Sequence, residues 1–403
     1  MRARFASLLA VLSVACGGTE SGTPSPSPDV PAARDAFVLD LAWADDASVV
    51  ADSGIVPQDT FTPVEDTFTP VEDVPASPED AAVVSEDVPA ATCPLPPACD
   101  VSPPTPSPTV SWRNLTTRIT VLKGAARHRG RDLFLREGDP QWALAKFAYG
   151  FADDDLNDEE VEIFLLRNCT TWERLGTAIT SRDRAPHATV EGVEDTGGRV
   201  YFRIPQDRPL GVGWHRVRFV VRGDHTVGEQ WIRVVPTGAR FVVTDIDGTL
   251  TTDENAQFVS LLTGNPPTAN PGGALTLRTL AERGYEILYL TARPEWLEAV
   301  THTWLRNNQF PRGIVHTTLG LTGATGAPAL AFKTGELNAI RARFGYAPEV
   351  GIGNTDSDVS AYTMASVRSR FYYRYAGDVM GGTRVDDYNA LAASLRAVPA
   401  VCR

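Results

Sequence analysis

A pair of aspartates follows a short apolar run in the C-terminal part of the chain. Asp245 and Asp247 come directly after Phe241-Val-Val-Thr244, and Gly248 behind them permits a sharp turn that brings backbone N–H groups near a phosphate. Carboxylates at the end of a parallel strand meet at the sheet edge where α/β folds bind ligands. One can attack phosphorus while the other transfers protons. The pattern favours phosphoryl-transfer chemistry over an aspartate-rich turn without function.

Two further polar residues stand beside predicted elements of the same region. Thr291 ends the apolar run 286–290, where its hydroxyl could bind a phosphoryl oxygen or cap a helix beginning near Pro294. Lys333 precedes a predicted helix over 334–344, and in isolation it is an ordinary solvated lysine. Neither residue alone indicates phosphoryl-transfer chemistry. Each supports it only through its position after the aspartate pair in the order of the motifs.

A third predicted strand carries oxygen ligands at its end. Val350-Gly-Ile-Gly353 is followed by Asn354 and, four residues on, Asp358. Side chains four residues apart face the same side of a helical turn, and Mg²⁺ prefers carboxylate and amide oxygens while keeping several waters. The spacing therefore predicts that both residues face one magnesium ion.

These motifs occur in the order Asp-x-Asp-x-Thr, Thr, Lys and Gly-Asn-x-x-x-Asp. In that order they resemble the haloacid dehalogenase superfamily of aspartyl phosphatases, which implies an α/β Rossmann-like fold. More narrowly, residues 237–376 resemble the lipin-type catalytic domain of magnesium-dependent phosphatidate phosphatases. The narrower resemblance rests on Val242-Val-Thr-Asp-Ile-Asp-Gly-Thr249, Asn270-Pro-Gly272, Gly284-Tyr-Glu-Ile-Leu-Tyr-Leu-Thr-Ala-Arg293, Phe332-Lys333 and Gly353-Asn354 with Asp358-Val-Ser-Ala-Tyr362.

The resemblance implies a role for each motif residue. Asp245 would be the nucleophile and Asp247 the general acid and base. The residues that would hold the transferring phosphoryl group are Thr249, Thr291 and Lys333. The ligands of Mg²⁺ would be Asp245, the backbone carbonyl of Asp247, Asn354 and Asp358. The implied reaction is hydrolysis of a phosphomonoester through an aspartyl phosphate, with a lipid phosphate such as phosphatidate as the expected substrate.

The chain departs from the lipin pattern in ways that leave other functions open. Asn270 replaces the lipin histidine before Pro-Gly, and Arg293 could approach the substrate or pair with a structural carboxylate. One alternative is a phosphatase for a soluble phosphomonoester. Another is a lipid-phosphate-binding surface protein without catalysis, although domains of that kind lack the aspartates that this chain has. A third is a surface adhesin whose function lies outside the phosphatase-like domain.

The first sixteen residues resemble a bacterial lipoprotein signal. Arg2 and Arg4 precede the mostly apolar run 5–15, which is too short to span a bilayer but suits a secretory signal. Ser-Val-Ala before Cys16 resembles a lipobox, which implies cleavage at that point and acylation of the cysteine. We expect an exported protein, periplasmic or on the cell surface, with membrane attachment through Cys16; a secreted soluble protein is the alternative.

Acidity is concentrated in residues 17–110. This segment holds seventeen acidic residues against Arg34 alone, seventeen of the thirty prolines, and a tandem repeat of Thr-Phe-Thr-Pro-Val-Glu-Asp over 60–73. Such a composition cannot bury enough apolar surface to offset its ordering entropy, so a disordered tether is predicted. Residues 111–403 are close to neutral, which gives no indication of nucleic-acid binding.

Residues 111–236 show the pattern of an all-β sandwich domain. Strand-forming runs over 161–165, 200–204 and 217–221 are separated by glycine-rich turns, and no catalytic set is evident among them. Four cysteines beyond Cys16 permit disulfides in an exported chain: Cys93, Cys99, Cys169 and Cys402. Cys93 with Cys99 and Cys169 with Cys402 is one of three possible pairings, and the sequence does not choose among them. The phosphatase-like domain occupies 237–403.

Overall fold

The computed structural model describes residues 92–182, 186–252 and 266–402, which lie within one compact unit, Val84–Arg403. The predicted signal sequence, Cys16 and residues 17–91 of the predicted tether lie outside the described residues. None of the helices in these ranges is long and apolar enough to cross a membrane.

Residues 92–110 lie against the folded domains, whereas the sequence assigned them to the tether. Disulfides join Cys93 to Cys402 and Cys99 to Cys169, a pairing different from the one considered above. The Ser107 backbone N–H and hydroxyl donate to the carboxylate of Glu162 over 2.9 and 2.7 Å. The predicted tether boundary at 110 is therefore wrong, because covalent and hydrogen bonds fix a proline-rich stretch that has no regular structure of its own.

In the described ranges, a mainly β part of the chain comes first and an α/β part follows it. The strands are β1 (Arg129–Gly130), β2 (Leu133–Arg136), β3 (Trp142–Lys146), β4 (Ala148–Tyr149), β5 (Asp154–Asp155), β6 (Glu160–Arg167), β7 (Thr171–Ile179), β8 (Arg199–Arg203), β9 (Gly213–Val221), β10 (Val227–Val235), β11 (Phe241–Thr244), β12 (Glu286–Pro294), β13 (Ile314–Thr318), β14 (Val350–Gly353), β15 (Ser369–Tyr373) and β16 (Thr383–Val385). The helices are α1 (Thr117–Leu122), α2 (Gly273–Glu282), α3 (Glu298–Asn307), α4 (Gly326–Phe344), α5 (Asp356–Met364) and α6 (Tyr388–Leu395), with a 3₁₀ turn over Glu295–Leu297.

Strands β1–β10 form the predicted β-sandwich. A five-stranded sheet has the order β2-β10-β9-β6-β7, with β2 parallel to β10 and the other neighbours antiparallel, and a three-stranded sheet has the order β1-β3-β8. The three predicted strand runs fall in β6, β8 and β9. Their apolar side chains pack between the sheets because alternate residues of a strand face the same side. The buried cluster includes Leu144, Phe147, Ile163, Phe219 and Ile232.

Strands β11–β16 form a parallel sheet in the order β13-β12-β11-β14-β15-β16, which confirms the predicted α/β fold. Strands β11 and β14 have the predicted bounds. Helix α2 begins at Gly273 and ends at Glu282. Helix α4 begins at Gly326, so Lys333 lies inside the helix and not before it. The prediction started this helix too late because Pro328 falls in its first turn, where proline is tolerated.

The two domains share a buried apolar interface. Phe134 of β2 packs edge-to-face on Phe241 of β11, with ring centroids 5.3 Å apart. Arg233 of β10 donates from its Nε to both carboxylate oxygens of Glu286 on β12 over 3.0 Å. The sandwich is therefore packed against the strands that carry the aspartate pair.

Candidate active site

Asp245 and Asp247 lie at the carboxyl edge of the parallel sheet. Strand β11 runs between β12 and β14, and the backbone N–H of Asp245 continues the ladder by donating to Ile352 O over 2.9 Å. Gly248 follows with φ 71°, a left-handed conformation that turns the chain away from the sheet at little cost in a residue without Cβ. A fully buried strand thus delivers two carboxylates to an edge where neighbouring strands also end.

Lys333 lies between two buried carboxylates. Its Nζ donates to Asp245 Oδ1 over 2.9 Å and to Asp358 Oδ1 over 2.6 Å. All three side chains are buried, and Lys333 projects from the middle of α4 toward the sheet edge. The lysine that the sequence could not distinguish from a solvated one is therefore a fixed countercharge to the predicted nucleophile.

Thr249 joins Asp245 to Asn354. Its hydroxyl contacts Asp245 Oδ2 at 3.2 Å and Asn354 Oδ1 at 2.8 Å. Because both contacts involve one hydroxyl, they hold the Asp245 carboxylate, which follows β11, close to the Asn354 amide, which follows β14. The structure therefore brings together side-chain oxygens of Asp245 and Asn354, two of the predicted magnesium ligands.

Asp358 has a structural task in addition to its place in this cluster. It is the third residue of α5 and forms a capping box with Thr355, the residue that caps the helix. Asp358 Oδ2 accepts from the backbone N–H groups of Asn354 and Thr355 over 3.2 and 3.1 Å, and from the Thr355 hydroxyl over 2.8 Å. Capping bonds of this kind fix the carboxylate rigidly at the start of the helix.

Asp247 is bound to Arg293, the partner that the sequence left undecided. Arg293 donates to Asp247 Oδ1 from Nε over 3.0 Å and from an Nη over 2.6 Å, and its Nε lies 3.0 Å from Oδ2. The Thr291 hydroxyl donates to the same carboxylate over 3.1 Å. Arg293 is buried and also donates to the Thr301 hydroxyl of α3 over 2.9 Å. Asp247 itself keeps 21% of its side chain exposed, so the pair faces the open side of the site.

Two residues given no chemical role by the sequence support the aspartate turn. Asn270, at the position of the lipin histidine, donates to the backbone carbonyls of Thr249 and Thr251 over 2.8 Å each. Tyr388, at the start of α6, donates to the Thr249 carbonyl over 2.9 Å. The Asn270-Pro-Gly motif could be recognised in the sequence. Tyr388 is 139 residues from Thr249, and no local pattern connects these two residues.

Burial and neighbouring charges perturb the ionisation of Asp245 and Lys333. Burial is the main cause that raises the pKa of Asp245 to about 7; Lys333 opposes this effect, and the charges of Asp358 and Asp247 add to it. Burial would lower the pKa of Lys333, but the two carboxylates outweigh it and raise the pKa. In the part of the chain that the structure describes, three carboxylates, those of Asp245, Asp247 and Asp358, are bonded to two cationic side chains. A hard cation with oxygen ligands fits this excess of negative charge and this set of donors.

The fold and the carboxylate pair define a haloacid dehalogenase-like domain of the phosphatase type, preceded by a β-sandwich. Two family models match the chain in the same order: "PITM 1-3, beta-sandwich domain" over residues 126–234 and "PITM 1-3, LNS2 domain" over residues 242–374. The superfamily prediction is confirmed at the level of the fold.

Two named relatives are similar to about two thirds of the chain. The chain is 30% identical over 265 residues to protein retinal degeneration B of Drosophila melanogaster, covering 65% of this chain and 19% of that protein. It is 31% identical over 278 residues to membrane-associated phosphatidylinositol transfer protein 2 of Mus musculus, covering 68% of this chain and 19% of that protein. The chain therefore spans about a fifth of the length of these relatives.

Among solved structures, the chain is similar to a cobalt-bound deoxy-D-mannose-octulosonate 8-phosphate phosphatase from Haemophilus influenzae. The identity is 14%, the TM-score is 0.29, and the similarity covers 39% of this chain and 86% of that one. The relatives named above are phosphatidylinositol transfer proteins and retinal degeneration B, not lipin-type phosphatidate phosphatases. The narrower resemblance is therefore corrected to the LNS2 domain of the PITM proteins.

Proposed function

We propose that residues 237–403 form a magnesium-dependent phosphomonoester hydrolase that works through an aspartyl phosphate. The observation that carries the proposal is the buried Asp245 carboxylate, bonded to Lys333 over 2.9 Å, with a second carboxylate, Asp247, two residues away at the same sheet edge. Phosphoryl transfer depends mainly on positioning and countercharge, and both are present around Asp245.

In the first step, an Asp245 carboxylate oxygen attacks phosphorus and the bond from phosphorus to the leaving oxygen breaks. Asp247 donates a proton to that oxygen, so an alcohol departs and a phospho-aspartate remains. Lys333 and the hydroxyl of Thr291 stand beside the two aspartates, where they can bind the oxygens of the transferring group. Thr249 keeps the second Asp245 oxygen oriented through its hydroxyl.

In the second step, the Asp247 carboxylate removes a proton from water as the water oxygen attacks phosphorus. The bond from phosphorus to Asp245 breaks, inorganic phosphate leaves, and Asp247 again carries the proton for the next cycle. Lys333 then compensates the charge that returns to Asp245. One pair of carboxylates thus serves both halves of the reaction.

The residues that would hold Mg²⁺ are Asp245, the backbone carbonyl of Asp247, Asn354 and Asp358. When bound, the ion would offset the negative charge of the phosphoryl group and of the buried carboxylates. The oxygen-only donor set and the raised pKa of Asp245 support this assignment.

We further propose a lipid phosphate as the substrate class. A relative of this chain is named membrane-associated phosphatidylinositol transfer protein 2, and both matching family models carry the PITM name, which supports a phospholipid as the ligand. Leu321, 53% exposed, lies in the loop after β13, and Met380, 51% exposed, in the loop after β15. Both strands are parallel to β11, so these loops flank the carboxyl edge that holds Asp245. Apolar side chains there suit contact with a lipid surface.

The proposed location is outside the cytoplasm, with attachment to a membrane through acylated Cys16. The signal-like start of the chain motivates this proposal, and two disulfides in the described part support an oxidising compartment. Several acyl chains on one cysteine would hold the protein firmly, since a single chain binds only marginally.

The test compares release of inorganic phosphate from phosphatidate in mixed micelles with release from a panel of water-soluble phosphomonoesters. We expect activity on phosphatidate that disappears with a chelator, returns with Mg²⁺ and is poorly supported by Ca²⁺. Release from soluble esters alone would refute the lipid substrate and leave a soluble phosphatase. Activity that resists EDTA would refute the magnesium mechanism.

A second function, binding of a lipid phosphate without hydrolysis, is favoured by the Asp247–Arg293 pair. Both oxygens of Asp247 are engaged by Arg293, whereas a general acid needs an oxygen free to meet the leaving group. The two functions separate when the parent and Asp245→Asn are compared on phosphatidate vesicles. A binding protein captures vesicles in both forms and releases no phosphate; an enzyme releases phosphate that is lost in the variant.

A further inference from the structure

A second group of metal-ligating side chains lies at the interface of the two domains, apart from the aspartate pair. Asp132 precedes β2 of the sandwich, and Glu298 and His302 stand one turn apart on α3 of the phosphatase-like domain. His302 Nε2 lies 2.9 Å from Asp132 Oδ2 and 4.0 Å from Glu298 Oε1. One donor atom from each of the three residues falls within 4.8 Å of the others. The group thus combines one imidazole and two carboxylates drawn from both domains.

Asp132 is held rigidly at this point. Its side chain is fully buried, Oδ1 accepts from Trp231 N over 2.7 Å, and Oδ2 accepts from Val315 N over 3.0 Å. Trp231 belongs to the sandwich and Val315 to the parallel sheet, so the carboxylate is fixed by both domains. Each carboxylate oxygen has two lone-pair directions, and these bonds leave one on each oxygen for another partner.

The Glu298 carboxylate gives a second, independent indication that this cluster binds a ligand. Its side chain is 5% exposed, and Oε1 has no hydrogen-bond partner among the described residues. His302 Nε2 is likewise buried without a well-formed hydrogen bond in that part of the chain, despite its closeness to Asp132. A buried carboxylate oxygen without a donor costs several kcal/mol, so such a group is normally paired or bound to metal.

The neighbouring cations do not satisfy Glu298. Arg129 donates to Asp153 and Glu295, and Arg131 to Glu336 and to the Thr317 carbonyl. Among the described residues, His302 is therefore the side chain that lies close to both buried carboxylates.

We propose that Asp132, Glu298 and His302 bind one zinc ion, which joins the sandwich to helix α3. Zinc takes nitrogen and oxygen ligands at about 2.0–2.2 Å, so three ligands lie within roughly 4.2 Å of one another around it. The present spacing closes onto such an ion with a shift of less than about 1 Å. A mixed imidazole and carboxylate set with so few oxygens suits zinc better than magnesium or calcium.

An ion has a path to this position. Glu298 and His302 line a cleft of about 930 Å³ between the domains, and 24% of the His302 side chain is exposed. Glutamate and histidine at positions i and i+4 face the same side of a helix, so both side chains can reach one ion.

The zinc site would act on the aspartate pair through α3. Thr301, between Glu298 and His302, accepts from Arg293, and Arg293 holds Asp247. An ion that fixes α3 to the sandwich would therefore also fix the position of Thr301, which accepts a hydrogen bond from Arg293. The three ligands are positioning residues, and the ion is expected to change stability more than the chemical step.

The test uses the full chain, stripped of metal with a chelator and kept in excess Mg²⁺ so that the Asp245 site is filled. Calorimetric titration with Zn²⁺ should give one site per chain with micromolar or tighter affinity. Zn²⁺ should also raise the melting temperature, and Co²⁺ should give visible absorption bands from an ordered site. His302→Ala should weaken Zn²⁺ binding by at least about 100-fold, and Glu298→Gln, which keeps the shape, by about tenfold.

Two controls separate this proposal from the proposed function. His187→Ala removes an exposed histidine away from the cluster and should bind Zn²⁺ as the parent does. Asp358→Asn should impair the Mg²⁺ response and leave the Co²⁺ spectrum unchanged. Absence of stoichiometric binding, or unchanged binding in both His302→Ala and Glu298→Gln, would overturn the zinc site. Loss of binding only in Asp358→Asn would place the ion at the aspartate pair and overturn it equally.

Discussion

Asp245 should destabilise the metal-free protein at neutral pH, and Asp245→Asn should remove this effect. Burial raises the pKa of Asp245 from its ordinary 3.8 to about 7. A group whose pKa is higher in the folded state contributes stability below its unfolded pKa and loses it as the pH rises through the folded value. The contribution therefore disappears between about pH 4 and pH 7.

The size of this loss of unfolding free energy follows from the interval between the ordinary and the raised pKa of Asp245. Each pH unit is equivalent to 1.36 kcal/mol, so the metal-free parent should lose roughly 4 kcal/mol of unfolding free energy over this range. From pH 5 upward the loss still amounts to roughly 3 kcal/mol, which urea unfolding measures readily. Asp245→Asn has no charge to acquire and should show no such decline, while its phosphatase activity falls by several powers of ten.

The assay is urea unfolding in EDTA at half-unit steps from pH 5 to 8.5, with the parent, Asp245→Asn and Asp207→Asn. Asp207 is exposed, so its variant should follow the parent. The gap between the parent and Asp245→Asn should widen up to pH 7 and then stay constant. Saturating Mg²⁺ should abolish the gap's dependence on pH, because a bound cation favours the ionised carboxylate. Parallel stability curves for the parent and Asp245→Asn in EDTA would refute the electrostatic account of the site.

Three other changes test separate parts of the proposals. Lys333→Met should abolish turnover and lower the unfolding free energy by about 3–5 kcal/mol in urea melts, because it leaves Asp245 and Asp358 buried without their countercharge; unchanged stability would contradict the pairing. In Mg²⁺ titrations of activity, Asp358→Asn should raise the half-saturating concentration about tenfold or more, and Asn354→Ala should do so less, since a neutral amide contributes a weaker field; the reverse order would contradict the ligand assignment. Cys16→Ser should release the full chain from membranes in cell fractionation without loss of turnover on a soluble ester. A Ser variant that stays with the membrane as the parent does would remove the anchor from the proposal.

The main elements of the phosphatase-like domain could be predicted because their signals are local. Strands β11 and β14 are short apolar runs that end at polar motifs, and both have the predicted bounds. The order of the motifs along the chain predicted that Asp245 and Asp358 lie near one sheet edge, because parallel strands end there. Lys333 reaches both carboxylates from inside helix α4, which the strand pattern alone does not predict. The start of α4 was misplaced because Gly326 and Pro328 read as turn residues, although both are compatible with a helix start.

Contacts between distant segments could not be predicted in this way. The pairing of Arg293 with Asp247 depends on how β12 ends beside β11, and the sequence shows only that an arginine follows Thr291. The approach of Asp132 to His302 depends on the packing of two domains, and neither residue belongs to a recognisable motif. The disulfide pairing has the same origin, since Cys93 and Cys402 are 309 residues apart in the chain.

The bond between Cys93 and Cys402 makes the folded part of the chain a closed ring of about three hundred residues, with a sequence separation of 309. In the chain-entropy account, a ring of this size restricts the unfolded chain by about 5–6 kcal/mol. It also determines how mechanical load enters the protein. A pull applied to the chain before Cys93 is transmitted through the disulfide to Cys402. While the disulfide is intact, such a pull therefore does not extend the segment between the two cysteines.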